Sequence, residues 1–144
     1  MNATETIFAL ALASNCNPKQ NFETAFEKIS SLGQVQFSKI YEIPCRDGIG
    51  ADYWNAACLV HSFQSVEGII MVLKKMEAES GRIRPSHHIS LDVDLIAWGK
   101  TLSEMHFNEK KLPLALDVKV PMFDLWKCAE FKTHLDYPIV SIEI

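Results

Sequence analysis

The run Leu91-Asp92-Val93-Asp94-Leu95-Ile96 places two carboxylates two positions apart in an apolar segment. In an extended chain alternate side chains share a face, so Asp92 and Asp94 point together, away from Leu91, Val93 and Leu95. Their Cα atoms then stand about 6.5–7 Å apart. Two like charges on one face repel and resist desolvation. A bound cation is the simplest compensation, and hard oxygen ligands favour Mg2+, which completes its shell with water and substrate phosphates. The same pair on a solvent-exposed sheet face needs no metal. The spacing alone leaves both readings open.

Just upstream, Arg82, Arg84, His87 and His88 make a basic loop. Positive side chains beside a metal-carrying carboxylate pair suit a polyphosphate; taken alone, the loop reads as a solvated charged segment. A third signal is Tyr53-Trp54-Asn55. On a strand Tyr53 and Asn55 share a face, the ring offering a stacking plane and the amide a donor beside an acceptor. Together they suit a flat heterocycle, with ordinary strand aromatics as the plainer alternative. His61 and His134 read as structural.

These residues need a frame. Residues 6–12 read as a buried strand ending in the polar Ser14-Asn15-Cys16-Asn17-Pro18. Phe22, Ala25, Phe26, Ile29 and Leu32 recur at helical spacing, with Gly33 as the stop. Residues 35–41 predict a second strand and 53–62 a third, separated by a Gly- and Pro-containing loop over 43–52. Ser65 and Glu67 suit the start of a second helix, with Val66, Ile69, Ile70, Leu73 and Met76 as its buried stripe and Gly81 at its end. Residues 90–98 form the fourth strand. Beyond the Gly99-Lys100 turn the pattern weakens. Segment 100–116 has no clear element, Pro113 and Pro121 interrupt, a short helix fits 123–128, and 139–144 closes as a strand. Strand, helix, strand, strand, helix, strand is the order of an α+β, ferredoxin-like fold, with two helices packed on one face of a mainly antiparallel sheet.

Composition agrees. With 144 residues the chain suits one domain over 1–144. Fourteen Lys and Arg against 18 Asp and Glu give −4, which argues against a nucleic-acid partner. No apolar run approaches a membrane span, and the start lacks a basic signal region, so a cytoplasmic, monomeric protein without a membrane partner is expected. Cys16, Cys45, Cys58 and Cys128 form no CxxC pair and are expected to be free thiols.

Over about residues 7–126 the chain resembles the 6-hydroxymethyl-7,8-dihydropterin pyrophosphokinases of folate biosynthesis. The resemblance rests on an ordered series of segments. These are Ala11-Leu12-Ala13-Ser14-Asn15, Asn21-Phe22, Ile40-Tyr41-Glu42 and Asp52-Tyr53-Trp54-Asn55-Ala56, then Glu77 with Gly81-Arg82-Ile83-Arg84, then Leu91-Asp92-Val93-Asp94-Leu95. It implies transfer of a pyrophosphoryl group from MgATP to the pterin hydroxymethyl, leaving AMP. Asp92 and Asp94 would bind two Mg2+ ions. Asn55 would hydrogen-bond the pterin, Tyr53 and Phe123 would sandwich it, and the backbone at Pro44 and Cys45 would line the same pocket. Glu77 and Arg82 would seat the ATP, Arg84 would reach its phosphates, and Arg82 and Arg84 would join the two aspartates in catalysis.

The sequence also departs from the family pattern. Arg84 runs through Pro85-Ser86-His87-His88-Ile89-Ser90, shorter than the family's Arg-Trp-Gly-Pro-Arg-Thr loop. Ile89 stands where the family's phosphate-binding Arg is usual, Pro113-Leu114 replaces its Pro-His, and the position of its later Arg falls near Pro121, with no Arg there in this chain. His87 and His88 are the candidates to replace the lost cations when protonated. Three functions follow: a pyrophosphokinase with a divergent loop, a non-catalytic pterin- or nucleotide-binding relative, and a ferredoxin-like interaction domain with no small ligand.

Overall fold

The computed structural model describes residues 4–45, 48, 50–82 and 88–141. Its strands are β1 (Thr6–Ser14), β2 (Gln34–Phe37), β3 (Ile40–Ile43), β4 (Tyr53–Ser62), β5 (Asp92–Gly99), β6 (His106–Phe107) and β7 (Ile139–Val140). Its α-helices are α1 (Pro18–Ser30), α2 (Val66–Glu79) and α3 (Leu116–Met122). All the strands join one sheet in the order β6-β5-β1-β4-β3-β7, with β2 also paired to β4. Every pairing is antiparallel. This is the α+β, ferredoxin-like arrangement that the pattern of elements predicts.

The central strand β1 is apolar on both faces because both are covered. Phe8, Leu10 and Leu12 meet Phe22, Phe26 and Ile29 of α1 and Ile69, Leu73 and Met76 of α2. Ile7, Ala9 and Ala11 face the other way, toward Met122, Trp126 and Phe131. Each large side chain buried this way contributes about 1.5–3 kcal/mol. The second layer differs from the expectation of helices on one face only. Its helix also begins earlier than expected: α3 covers 116–122, and 123–128 is not helical. Pro121 sits inside α3 rather than ending it. It removes one backbone bond from a short helix, and the burial of Val120, Pro121 and Met122 offsets that loss.

The expected strand over 35–41 is two strands. Between them Ser38 donates its backbone N–H to the Ala57 carbonyl at 2.9 Å, and its hydroxyl accepts the Ala57 N–H at 2.8 Å. A side chain thus replaces a backbone carbonyl in the ladder and breaks the pleat. Gly33 also has a role other than the expected helix stop. α1 ends at Ser30, and a Cβ on Gly33 would lie 1.8 Å from the His61 carbonyl oxygen. Close approach to β4 requires glycine there.

On β5 the register with β1 shifts between Ala9 and Leu10, leaving Ile96 as an extra residue. Leu95 faces the first layer, while Ile96 and Ala97 both face the second. This bulge lies just beyond Asp94. Asn108 caps it, donating its backbone N–H to Ile96 O at 2.8 Å and its Nδ2 to Leu95 O at 2.9 Å. No helix among the described residues is long and apolar enough to cross a membrane.

Candidate functional site

Sheet register brings the predicted residues together. Ala13 of β1 pairs with Asn55 on one side and Asp92 on the other; Ala11 pairs with Ala57 and Asp94. Directly paired residues of antiparallel strands share a face, so Asn55, Asp92 and Asp94 look into one space over the small alanines. Asn55 is almost fully buried there and donates Nδ2 to Tyr53 O at 3.3 Å.

Helix α2 adds a third carboxylate. Its N-cap Ser65 accepts the Gly68 N–H at 3.0 Å, as the sequence predicts. Its end is a Schellman turn, in which Gly81 at φ +87° donates to Ala78 O and Arg82 donates to Glu77 O. The turn folds Arg82 back beside Glu77. Glu77 Oε2 accepts the Val93 N–H at 2.9 Å, on the edge of β5 that faces away from β1. Carboxylate oxygens of Glu77, Asp92 and Asp94 all lie within 4.8 Å of one another.

Cations offset this concentration of negative charge. Arg82 Nη1 donates to Leu91 O at 3.1 Å and lies 3.4 Å from Asp92 Oδ1 and 3.8 Å from Glu77 Oε2. Its buried Nε has no hydrogen-bond partner among the described residues. Lys111 Nζ lies 2.9 Å from Asp94 Oδ1. Burial, reinforced by Asp92 and Asp94, pushes the Glu77 carboxyl up to about 7 even though the Val93 N–H favours its ionised form. Three converging oxygen donors, partly open to solvent, have the chemistry of a hard divalent cation site.

Two cavities meet at these carboxylates. The smaller, about 270 Å3, is lined by Ala11, Ala13, Cys45, Tyr53 and Asn55, with Asp117 and Val118 from the first turn of α3. The larger, about 690 Å3, runs along the outer edge of β5 and carries Lys74, Glu77, Asn108, Lys110 and Lys111. Arg82, Asp92, Asp94 and Val118 line both. Ligands in the two cavities would therefore meet beside Asp92 and Asp94.

One residue fastens the loops around the smaller cavity. Asn15 exchanges two hydrogen bonds with Ile89, donating N–H to Ile89 O at 2.9 Å and accepting the Ile89 N–H on Oδ1 at 2.6 Å. Its Nδ2 reaches Ala51 O at 3.4 Å. Ile89 and Ala51 are thus both tied to the end of β1.

Of the residues singled out by sequence, Glu77, Arg82, Asp92 and Asp94 converge, and Cys45, Tyr53 and Asn55 line the adjoining cavity. Phe123 does not line it. It packs into the second core layer, with Lys127 Nζ 4.5 Å from its ring centroid. The first turn of α3, through Asp117 and Val118, lines the cavity. Pro44 and His88 are exposed and line neither cavity. Arg84 and His87 lie outside the described residues. Lys74, Lys110, Lys111 and Asp117 went unmarked in the sequence, and Asn15 was marked only as part of the first strand's polar ending. The Lys110-Lys111 pair was visible, but in a stretch without periodicity to place it.

A comparison with curated proteins gives no match. The family model described as 7,8-dihydro-6-hydroxymethylpterin-pyrophosphokinase matches residues 9–131. That span holds the carboxylate trio, both cavities and the strands that position them, and the chain belongs to this pyrophosphokinase family.

Proposed function

We propose that the protein transfers a pyrophosphoryl group from ATP to 6-hydroxymethyl-7,8-dihydropterin in folate synthesis, with AMP as the other product. The observation that carries this reading is the pair of cavities joined at Asp92 and Asp94. The smaller suits a flat heterocycle, with Tyr53 as a stacking ring, Asn55 as the amide and the Cys45 segment as a wall. The larger suits a nucleotide triphosphate, with Lys74, Lys110, Lys111 and Arg82 as its cations. Asp92 and Asp94 would hold Mg2+, two ions in the full complex, with Glu77 as the third oxygen donor. Bound magnesium supplies neutralisation of the phosphate charge.

The chain's own contribution is position. Phosphoryl-type transfer needs in-line alignment and charge stabilisation more than covalent help from the protein. The hydroxymethyl oxygen bonds the β-phosphorus, the bond from that phosphorus to the α,β-bridging oxygen breaks, and the hydroxyl proton leaves to water. One domain holds both substrates, so turnover needs no second chain.

The deciding measurement is AMP release from MgATP with and without hydroxymethyldihydropterin. Pterin-dependent AMP is expected, with Asp92→Ala reducing it at least about a thousandfold, as for loss of a main electrostatic group. Wild-type rates in that variant, or AMP formation indifferent to the pterin, would overturn the proposal.

A second reading has its own observation. Pro121 is buried in α3, Leu114 packs against the second core layer, and neither side chain carries a donor or charge for a phosphate. A binder without turnover would bind both ligands by calorimetry and release no AMP.

A further inference from the structure

We propose that Lys111 is a resident counter-cation of the carboxylate trio, displaced from Asp94 when a divalent ion binds and then turned toward the phosphates in the β5-edge cleft. The first half needs only the geometry of the site; the second rests on the nucleotide reading above.

The observations begin with the backbone. Residues Glu109–Lys111 form a single 3-10 turn whose N-cap is Asn108. Asn108 Oδ1 accepts the Lys110 N–H at 3.2 Å, and Asn108 O accepts the Lys111 N–H at 2.9 Å. The same Asn108 is bound to the bulge carbonyls Leu95 O and Ile96 O. The base of Lys111 is therefore fastened to β5 immediately beyond Asp94. Its head is not enclosed. The side chain is 38% exposed, with Nζ 2.9 Å from Asp94 Oδ1, and it stands on a four-carbon stem.

A cation held by the trio needs an oxygen of Asp94, and the Lys111 ammonium already sits on that carboxylate. The two compete. Arg82 is the other neighbouring cation, but it is 11% exposed and also bound to Leu91 O, so it stays where it is. Lys111 has open cleft beside it, lined by Lys74 and Lys110. A displaced ammonium there joins Lys74, Lys110 and Arg82 where a triphosphate would lie. The ion pair thus neutralises Asp94 without metal and releases a phosphate ligand when metal arrives.

The test titrates the full chain with Mn2+ alone, read by electron paramagnetic resonance at low salt. Lys111→Met is expected to bind Mn2+ about two- to fivefold tighter than wild type, the scale of a partly exposed ion pair. Lys111→Arg, which keeps the pair, should bind like wild type. Lys110→Met removes a cleft charge without touching Asp94 and should also bind like wild type. Lys111→Met binding no tighter than wild type overturns the displacement. Equal tightening in Lys110→Met overturns it too, since a general field effect then explains the gain.

With Mn2+ present, a methylene analogue of ATP should bind Lys111→Met at least about threefold more weakly. Unchanged analogue affinity overturns the turn toward phosphate. AMP release by the wild type tests the family activity separately. Its absence alongside the expected Mn2+ result would sink the transfer reading and support the displacement.

Discussion

Asn55 and Asp92 are the two cross-strand neighbours of Ala13, one on each side, and all three side chains share a face of the sheet. At about 4.8 Å between strands, the amide proposed to read the heterocycle and the acid proposed to hold the metal stand roughly 10 Å apart across one methyl group. Alanine, the smallest side chain after glycine, keeps this position open. The gap between them is the floor of the smaller cavity, which Ala13 itself lines.

That floor predicts a selective loss. Ala13→Leu should fill the space between Asn55 and Asp92 while leaving the carboxylate trio intact. Pterin affinity is expected to fall at least about tenfold, equivalent to about 1.4 kcal/mol. Mn2+ binding should change less than about twofold. Calorimetry with each ligand checks both; equal losses of pterin and metal would mean that the strands themselves had moved.

Asn15 predicts a coupled loss. Asn15→Ala deprives the Ile89 N–H of its acceptor and frees Ala51 O, loosening both loops at once. An unmade bond to a partly buried donor costs about 1–3 kcal/mol. For a chain of this size the melting temperature should fall by about 3–8 °C. Amide exchange should quicken at both Ile89 and the 50–52 backbone. Protection lost at only one of the two loops would separate them and contradict the tie.

What the sequence made legible follows the range of its interactions. The alternation around Asp92 and Asp94 placed both on one face because a strand's period is local. The bulge at Ile96 was hidden, since it depends on Asn108 meeting two carbonyls from twelve and thirteen positions away. Glu77 was marked only through the family resemblance. Its joining the aspartates depends on α2 lying over the free edge of β5, where the Val93 N–H awaits an acceptor. The 35–41 strand was misread because a serine hydroxyl can replace a carbonyl in a ladder, which no hydrophobic pattern reveals. Helix α3 was misplaced because Pro121 was read as a breaker, whereas it sits buried inside the helix. Phe123 was marked only through the family resemblance; its ring packs against the second core layer.

The last prediction concerns pH. Glu77 is half of a contact that the fold needs, accepting the Val93 N–H, yet burial and then Asp92 and Asp94 push its pKa up to about 7. In the unfolded chain the same carboxyl titrates near 4.5. Between these values the folded protein binds the extra proton, so metal-free stability contributed by this group is full below about 4.5 and is lost as pH rises through about 7. Melting temperature in a chelator should therefore decline across that window by more in wild type than in Glu77→Gln, which keeps an acceptor for Val93 but has no proton to lose. Divalent metal reverses the trend, because it requires the ionised trio. Added Mg2+ should raise the melting temperature more at pH 8 than at pH 5.5. Parallel wild-type and Glu77→Gln curves in the chelator would assign the slope to other groups and remove Glu77 from the titration.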